Sequence, residues 1–178
     1  MAKPLILIAA SVPIIFAIMI AIPMIVNPQI PFSATNADDR ISIEFTKHRL
    51  QKISLGVTDR ITPQKSEILT ISNEGNLRYL VTADGVPQPE KTASLERDDV
   101  KKFIAIVKET GFMKIPLDSI AANDDASEYN KYSLKVTLNG DTKQIQWVEQ
   151  NATSALIPPI LSQIQSSLEN VTKKAFPN

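Results

Sequence analysis

The sequence predicts an N-terminal single transmembrane helix followed by one extracytoplasmic α+β domain of antiparallel strands and hairpins with two helices. Three observations predict it. Residues 4–26, PLILIAASVPIIFAIMIAIPMIV, carry no charge. Beyond them, short runs alternate apolar and polar residues around Asn/Gly turns, which is the period of a half-buried strand. Two later segments repeat apolar residues at helical spacing, each with one stripe to bury.

The uncharged run comes first. At a rise of ~1.5 Å per residue it reaches roughly 35 Å, enough to cross a ~30 Å hydrocarbon core with some tilt. Pro4 suits a first helical turn, and Pro13 is expected to kink the span. A cleavable export signal has a shorter apolar core and a nearby small-x-small site. The best such site here, Thr35-Asn36-Ala37, lies well past the core. Residues 1–26 are therefore expected to form an uncleaved anchor in contact with membrane lipid. Lys3 precedes the run, and Asp38 and Asp39 are the first charges after it. The positive-inside bias then puts the N-terminus in the cytoplasm and residues 27–178 outside. The sequons Asn151-Ala152-Thr153 and Asn170-Val171-Thr172 agree with that orientation.

Residues 27–40, rich in Pro, Ser, Asn and Asp, read as a juxtamembrane linker. A domain over 41–172 and a short tail over 173–178 follow. Ile41 to Thr46 alternates and reads as a strand; Ile53, Leu55 and Val57 suggest a second, weaker one. The runs 65–72 and 77–82 flank Asn73-Glu74-Gly75-Asn76 and read as a hairpin, with a loop from Gly85 to Glu90. Between Leu95 and Thr110, Val100, Phe103, Ile104 and Val107 form one helical stripe. Acids crowd its first turn, and Gly111 closes it as a C′ glycine. Phe112 and Ile115 are placed to fold back on the core, and 117–128 reads as a polar loop. Tyr132, Leu134, Val136 and Leu138 alternate into Asn139-Gly140, a strong type I′ turn signal, and 142–148 returns with Ile145 and Trp147 on one face. Pro158-Pro159 opens a last helix carrying Ile160, Leu161, Ile164, Leu168 and Val171. Strands that share one side with two helices make an α+β domain.

Composition excludes several function classes. Nineteen basic residues balance nineteen acidic ones, so no basic footprint for nucleic acid exists. Cysteine is absent, and His48 is the one histidine. Zinc, blue-copper and haem ligation lack their ligands, and Cys-His catalysis lacks its nucleophile. A Ser-His-Asp triad would need His48, which has no supporting motif, and no glycine-rich phosphate loop is present. The chain reads as a non-enzyme, with no catalytic, cofactor-binding or metal-ligating residue.

From residue 65 to 170 the order of structural residues resembles a known family. Gly111-Phe112-Met113-Lys114-Ile115-Pro116 follows a helix, Asp124 and Asp125 lie in a polar loop, a strand alternates from Tyr132, and Pro158-Pro159 begins a helix. This resembles emfourin, a protein inhibitor of thermolysin-type metalloproteases. The resemblance implies a similar fold and protease inhibition as an activity. It is carried by structural residues, so it assigns no inhibitory loop. The anchor and the strands before residue 65 are additions to the emfourin pattern.

Asp124, Asp125 and Glu128 cluster in the long loop but lack the spacing of a calcium-binding EF-hand, so they read as a solvated loop. With Tyr129 they make the candidate protein-binding surface, because loops on a rigid scaffold carry recognition. Glu149 beside Trp147 reads as a strand end, with the tryptophan in the core. The leading expectation is a membrane-anchored, extracytoplasmic protein-binding module that inhibits or positions a soluble extracytoplasmic enzyme. The alternative is a single-span accessory subunit of a membrane enzyme complex, its partners being integral subunits packed against the small residues Ala17 and Ala21.

Overall fold

A computed structural model describes residues 35–54 and 56–177. Seven strands form one sheet: β1 (Ile41–Ser54), β2 (Asp59–Ile71), β3 (Asn76–Ala83), β4 (Val86–Pro87), β5 (Lys91–Ser94), β6 (Glu128–Leu138) and β7 (Asp141–Val148). Among the described residues two α-helices, α1 (Arg97–Glu109) and α2 (Pro159–Ala175), complete the α+β content. The strands run in the order β4-β3-β2-β1-β6-β7, with β5 also on β3, and all neighbours are antiparallel.

This corrects the expected fold class. The described residues are mostly antiparallel sheet with two helices. Among them no helix is long and apolar enough to cross a membrane. The helices have 13 and 17 residues and bury only one stripe each, whereas a span needs ~20 apolar residues. The expected transmembrane segment, residues 4–26, lies outside the described residues, as do 27–34 of the expected linker.

Alternation explains the core. Ile41, Ile43 and Phe45 of β1 share a face with Leu69 and Ile71 of β2, Leu77 of β3, Tyr132, Leu134, Val136 and Leu138 of β6, and Ile145 and Trp147 of β7. Both helices cover that face, α1 through Val100, Phe103, Ile104 and Val107, and α2 through Leu161, Ile164 and Leu168. Trp147 and Phe112 are the largest fully buried side chains. Phe45, Tyr132 and Trp147 stack in series, with ring centroids 6.1 and 5.5 Å apart. Gly111 stands one residue past the C-cap of α1 at φ +66°, as the C′ reading requires. Asn139 and Gly140 both have positive φ and make the expected turn between β6 and β7.

Two strand expectations change. Of the expected second strand, Ile53 belongs to β1, Val57 lies in a bend, and Leu55 lies outside the described residues. β1 continues through Lys47, His48 and Arg49 to Ser54, because β2 and β6 offer it hydrogen bonds on both sides as far as Gln51. The loop from Gly85 instead starts with a tight hairpin turn, Asp84 at φ 49° and Gly85 at φ 78°, which sets β4 against β3.

The chain enters the sheet through a clasp. Asp39, its side chain 3% exposed, pairs with Lys108 of α1 and accepts from Asn139 Nδ2 at 2.8 Å and from the Asn36 N–H at 2.6 Å. Burial alone would raise the Asp39 carboxyl, but these donors outweigh it and hold the pKa below its ordinary 3.8. A depressed carboxylate pKa adds stability above the unfolded value, and this is lost as pH falls through the folded one. Asp39→Asn is therefore expected to lower the thermal midpoint at pH 7, with the gap to the native chain closing as pH drops below 3.8.

Gly75 joins the β2–β3 turn to the start of α1. Its carbonyl accepts from the Leu95 N–H at 2.8 Å, and its φ is +86°. A Cβ there would lie 2.9 Å from the Leu95 carbonyl oxygen. Gly75→Ala is expected to cost about 1–3 kcal/mol in a urea titration, from the strained φ and that backbone clash.

Candidate functional site

The sheet has a projecting end. Pairing of β1 with β6 stops at Gln51–Glu128, and pairing of β2 with β3 starts at Lys65. Residues between them leave the sheet as a two-stranded arm, whose last pair is Ser54 with Asp59. A register shift marks its base: Arg49 pairs with Lys65 but Leu50 with Pro63, so Gln64 is the extra residue of a bulge. The bulge reverses the β2 phase. Ile61 therefore lies opposite Lys52, on the face away from the helices, while Leu69 and Ile71 remain in the core.

The arm carries apolar side chains into solvent. Val57 is fully exposed, Ile61 is 52% exposed and Ile53 39%. An ion pair crosses its strands, Lys52 Nζ to Asp59 Oδ2 at 2.9 Å. The hydrogen bond and charge of each partner raise the Lys52 ammonium and lower the Asp59 carboxyl. The pair is solvent-screened and adds little stability; it sets the two side chains in place.

The segment 117–128 stands beside the arm, and it is a strap along β7. The Ile120 N–H donates to the Gln146 carbonyl at 2.8 Å, and the Gln146 N–H donates to that of Asp118 at 2.9 Å. Asn123 N–H reaches the Ala152 carbonyl at 2.8 Å, and Lys52 N–H reaches that of Ser127 at 2.7 Å. Ile120 is buried in the main core. Ala122 and Ala126 close over a second small core of Tyr129, Val148 and Ala152 on the face without helices. These contacts cover part of the β7 edge, which would otherwise offer unpaired backbone groups.

A cleft of about 580 Å³ opens between arm and strap. Lys52, Asp59 and Ile61 form one wall, Ala121 and Asp124 the other, and Tyr129 lies in its floor. Lys52 Nζ donates across it to the Asp124 carbonyl at 3.3 Å.

The expected binding residues divide. Asp124 and Asp125 are exposed on the strap, and Asp124 lines the cleft. Tyr129 lines it too, but is only 7% exposed. Glu128 turns to the opposite face, where Arg49 Nε donates to its Oε1 at 2.8 Å. There it borders a second cleft of about 470 Å³ with Lys47, Lys65, Glu67 and Glu149. Glu149 accepts from Asn130 Nδ2 at 2.9 Å. Lys47 pairs with Glu169 at 3.5 Å, and Lys65 pairs with Glu67. Charges here neutralise one another on the sheet surface. His48 Nδ1 bonds Ser66 Oγ at 2.7 Å, and burial, then Lys131, lowers its pKa. Tyr79 stacks on Phe176 at 5.4 Å, and burial pushes its hydroxyl up to about 12. Among the described residues, no three His, Asp or Glu side chains are grouped to hold a metal ion.

Lys52, Val57, Asp59 and Ile61 were not expected at the site. Their local signal was that of an ordinary strand, and only pairing on both sides of the arm base shows where the neighbours stop. No family model matches the sequence, and a comparison with curated proteins finds no match.

Proposed function

We propose that the domain is a non-enzymatic protein-binding module whose docking end is the arm and strap. The observation that carries this reading is the projecting arm with Val57 fully exposed and Ile61 half-exposed at its edge. Large side chains leave water only when something covers them, and covering such groups supplies binding energy at ~25 cal/mol per Å² of apolar surface. The Lys52–Asp59 pair and Asp124 supply a polar rim around that apolar centre, the usual anatomy of a protein interface. Its partner is a soluble extracytoplasmic enzyme that it inhibits or positions, with nucleic acid excluded by the neutral charge balance. Placement at the outer face of a membrane belongs to the same proposal and rests on the uncharged residues 4–26 behind Lys3. The resemblance to emfourin makes a thermolysin-type metalloprotease the first enzyme to test.

The experiment places a photo-crosslinking amino acid at Val57 of the full chain in intact cells, with Lys135 as the control. Lys135 is exposed on β6, away from the arm. A discrete protein adduct from position 57 and none from 135 is the expected result. Adducts of the same pattern from both positions would remove the arm as a docking end. An adduct with integral subunits in fixed proportion would favour the accessory-subunit alternative.

A further inference from the structure

We infer that Asn151 and Asn170 are N-glycosylation sites, taking a sugar from a polyprenyl-phosphate-linked donor. The inference rests on the proposed placement of the domain outside the membrane, where such transfer occurs. Sequence supplies the acceptor pattern twice, Asn-Ala-Thr and Asn-Val-Thr, each with a non-proline centre and a threonine hydroxyl two residues on.

The structure separates these asparagines from others in the domain. Asn73, Asn76, Asn123, Asn130 and Asn139 use their side-chain amides in hydrogen bonds that hold turns and strands. Asn151 and Asn170 are both exposed. Asn151 sits in the 3-10 turn Gln150–Ala152, with Ala152 inward. Asn170 lies on α2 away from the buried Leu161, Ile164 and Leu168. A glycan on either side chain projects into solvent and displaces no core group. The two threonines are engaged in the folded chain. Thr153 Oγ1 accepts from the Ala155 N–H at 3.2 Å, and Thr172 Oγ1 donates to the Leu168 carbonyl at 2.8 Å. A transferase must reach that hydroxyl, so addition takes place on the extended chain before these bonds form. The folded domain then accommodates the product.

The transfer step balances simply. The asparagine Nδ2 forms a bond to C1 of the sugar as the bond from C1 to the phosphate oxygen breaks. The polyprenyl phosphate leaves with that electron pair, and one amide proton passes to a carboxylate of the transferase.

The test is glycopeptide mass spectrometry on the full chain purified from its native cells. Peptides containing Asn151 and Asn170 are expected to carry a hexose- or hexosamine-based mass increment. Asn151→Gln and Asn170→Gln should each remove one increment, and Thr172→Ser should retain it. Both peptides at unmodified mass would overturn the proposal. Lys135→Cys in this cysteine-free chain separates the two possible failures. Labelling by an impermeant thiol reagent in intact cells, with unmodified peptides, sinks glycosylation alone. Protection from that reagent with unmodified peptides sinks the outside placement as well.

Discussion

Trp147→Ala is expected to destabilise the domain by about 3–5 kcal/mol, a large share of the ~5–15 kcal/mol that holds a domain of this kind together. Trp147 is 1% exposed, stacks on Tyr132 and directs its indole Nε1–H at Gln165 of α2, 3.4 Å away. Truncation opens a cavity where sheet and α2 meet and leaves Tyr132 without one of its two stacked neighbours. Phe103→Ala should cost a similar amount from the α1 side, since Phe103 is 4% exposed in the same core. Lys101 provides the contrast. It is exposed and pairs with Asp98, three residues back on its own helix. Lys101→Ala is expected to shift stability by less than ~0.5 kcal/mol. Urea titration of the domain from residue 35 onward, which retains the Asp39 clasp, measures all three. Equal losses at Phe103 and Lys101 would contradict the packing of α1.

The second large effect is on binding. Val57→Ser with Ile61→Ser is expected to weaken partner binding by about 30-fold or more, corresponding to ~2 kcal/mol at an apolar hot spot. Stability should stay within ~0.5 kcal/mol of the native chain, because neither side chain is buried. The measurement is the affinity for whichever protein is crosslinked through position 57, with inhibition of a thermolysin-type protease run alongside. Unchanged affinity in the double variant would place the interface elsewhere on the domain. The cleft beside Glu128 and Arg49 is then the next surface to alter.

The parts of this protein legible in its sequence are those decided locally. The α1 stripe, its closing Gly111, the Asn139-Gly140 turn and the Pro158-Pro159 helix start each follow from side-chain period or backbone preference over a few residues. The Asp84-Gly85 turn is equally local, since Asp-Gly is a type I′ signal, although the expectation from Gly85 was a loop. Burial of Phe103, Tyr132 and Trp147 followed from phase alone. Tertiary structure decided the rest, because it depends on partners distant in sequence. β1 runs unbroken through charged residues because strands from two other parts of the chain pair with it. Gln64 turns Ile61 away from the core through a bulge that alternation cannot reveal. The polar segment 117–128 is held as a strap by β7 and Ala152, which draws Tyr129 inward and sends Glu128 to the other face. The projecting arm is set by where β3 and β6 stop pairing, and a strand's own residues do not record the length of its neighbours.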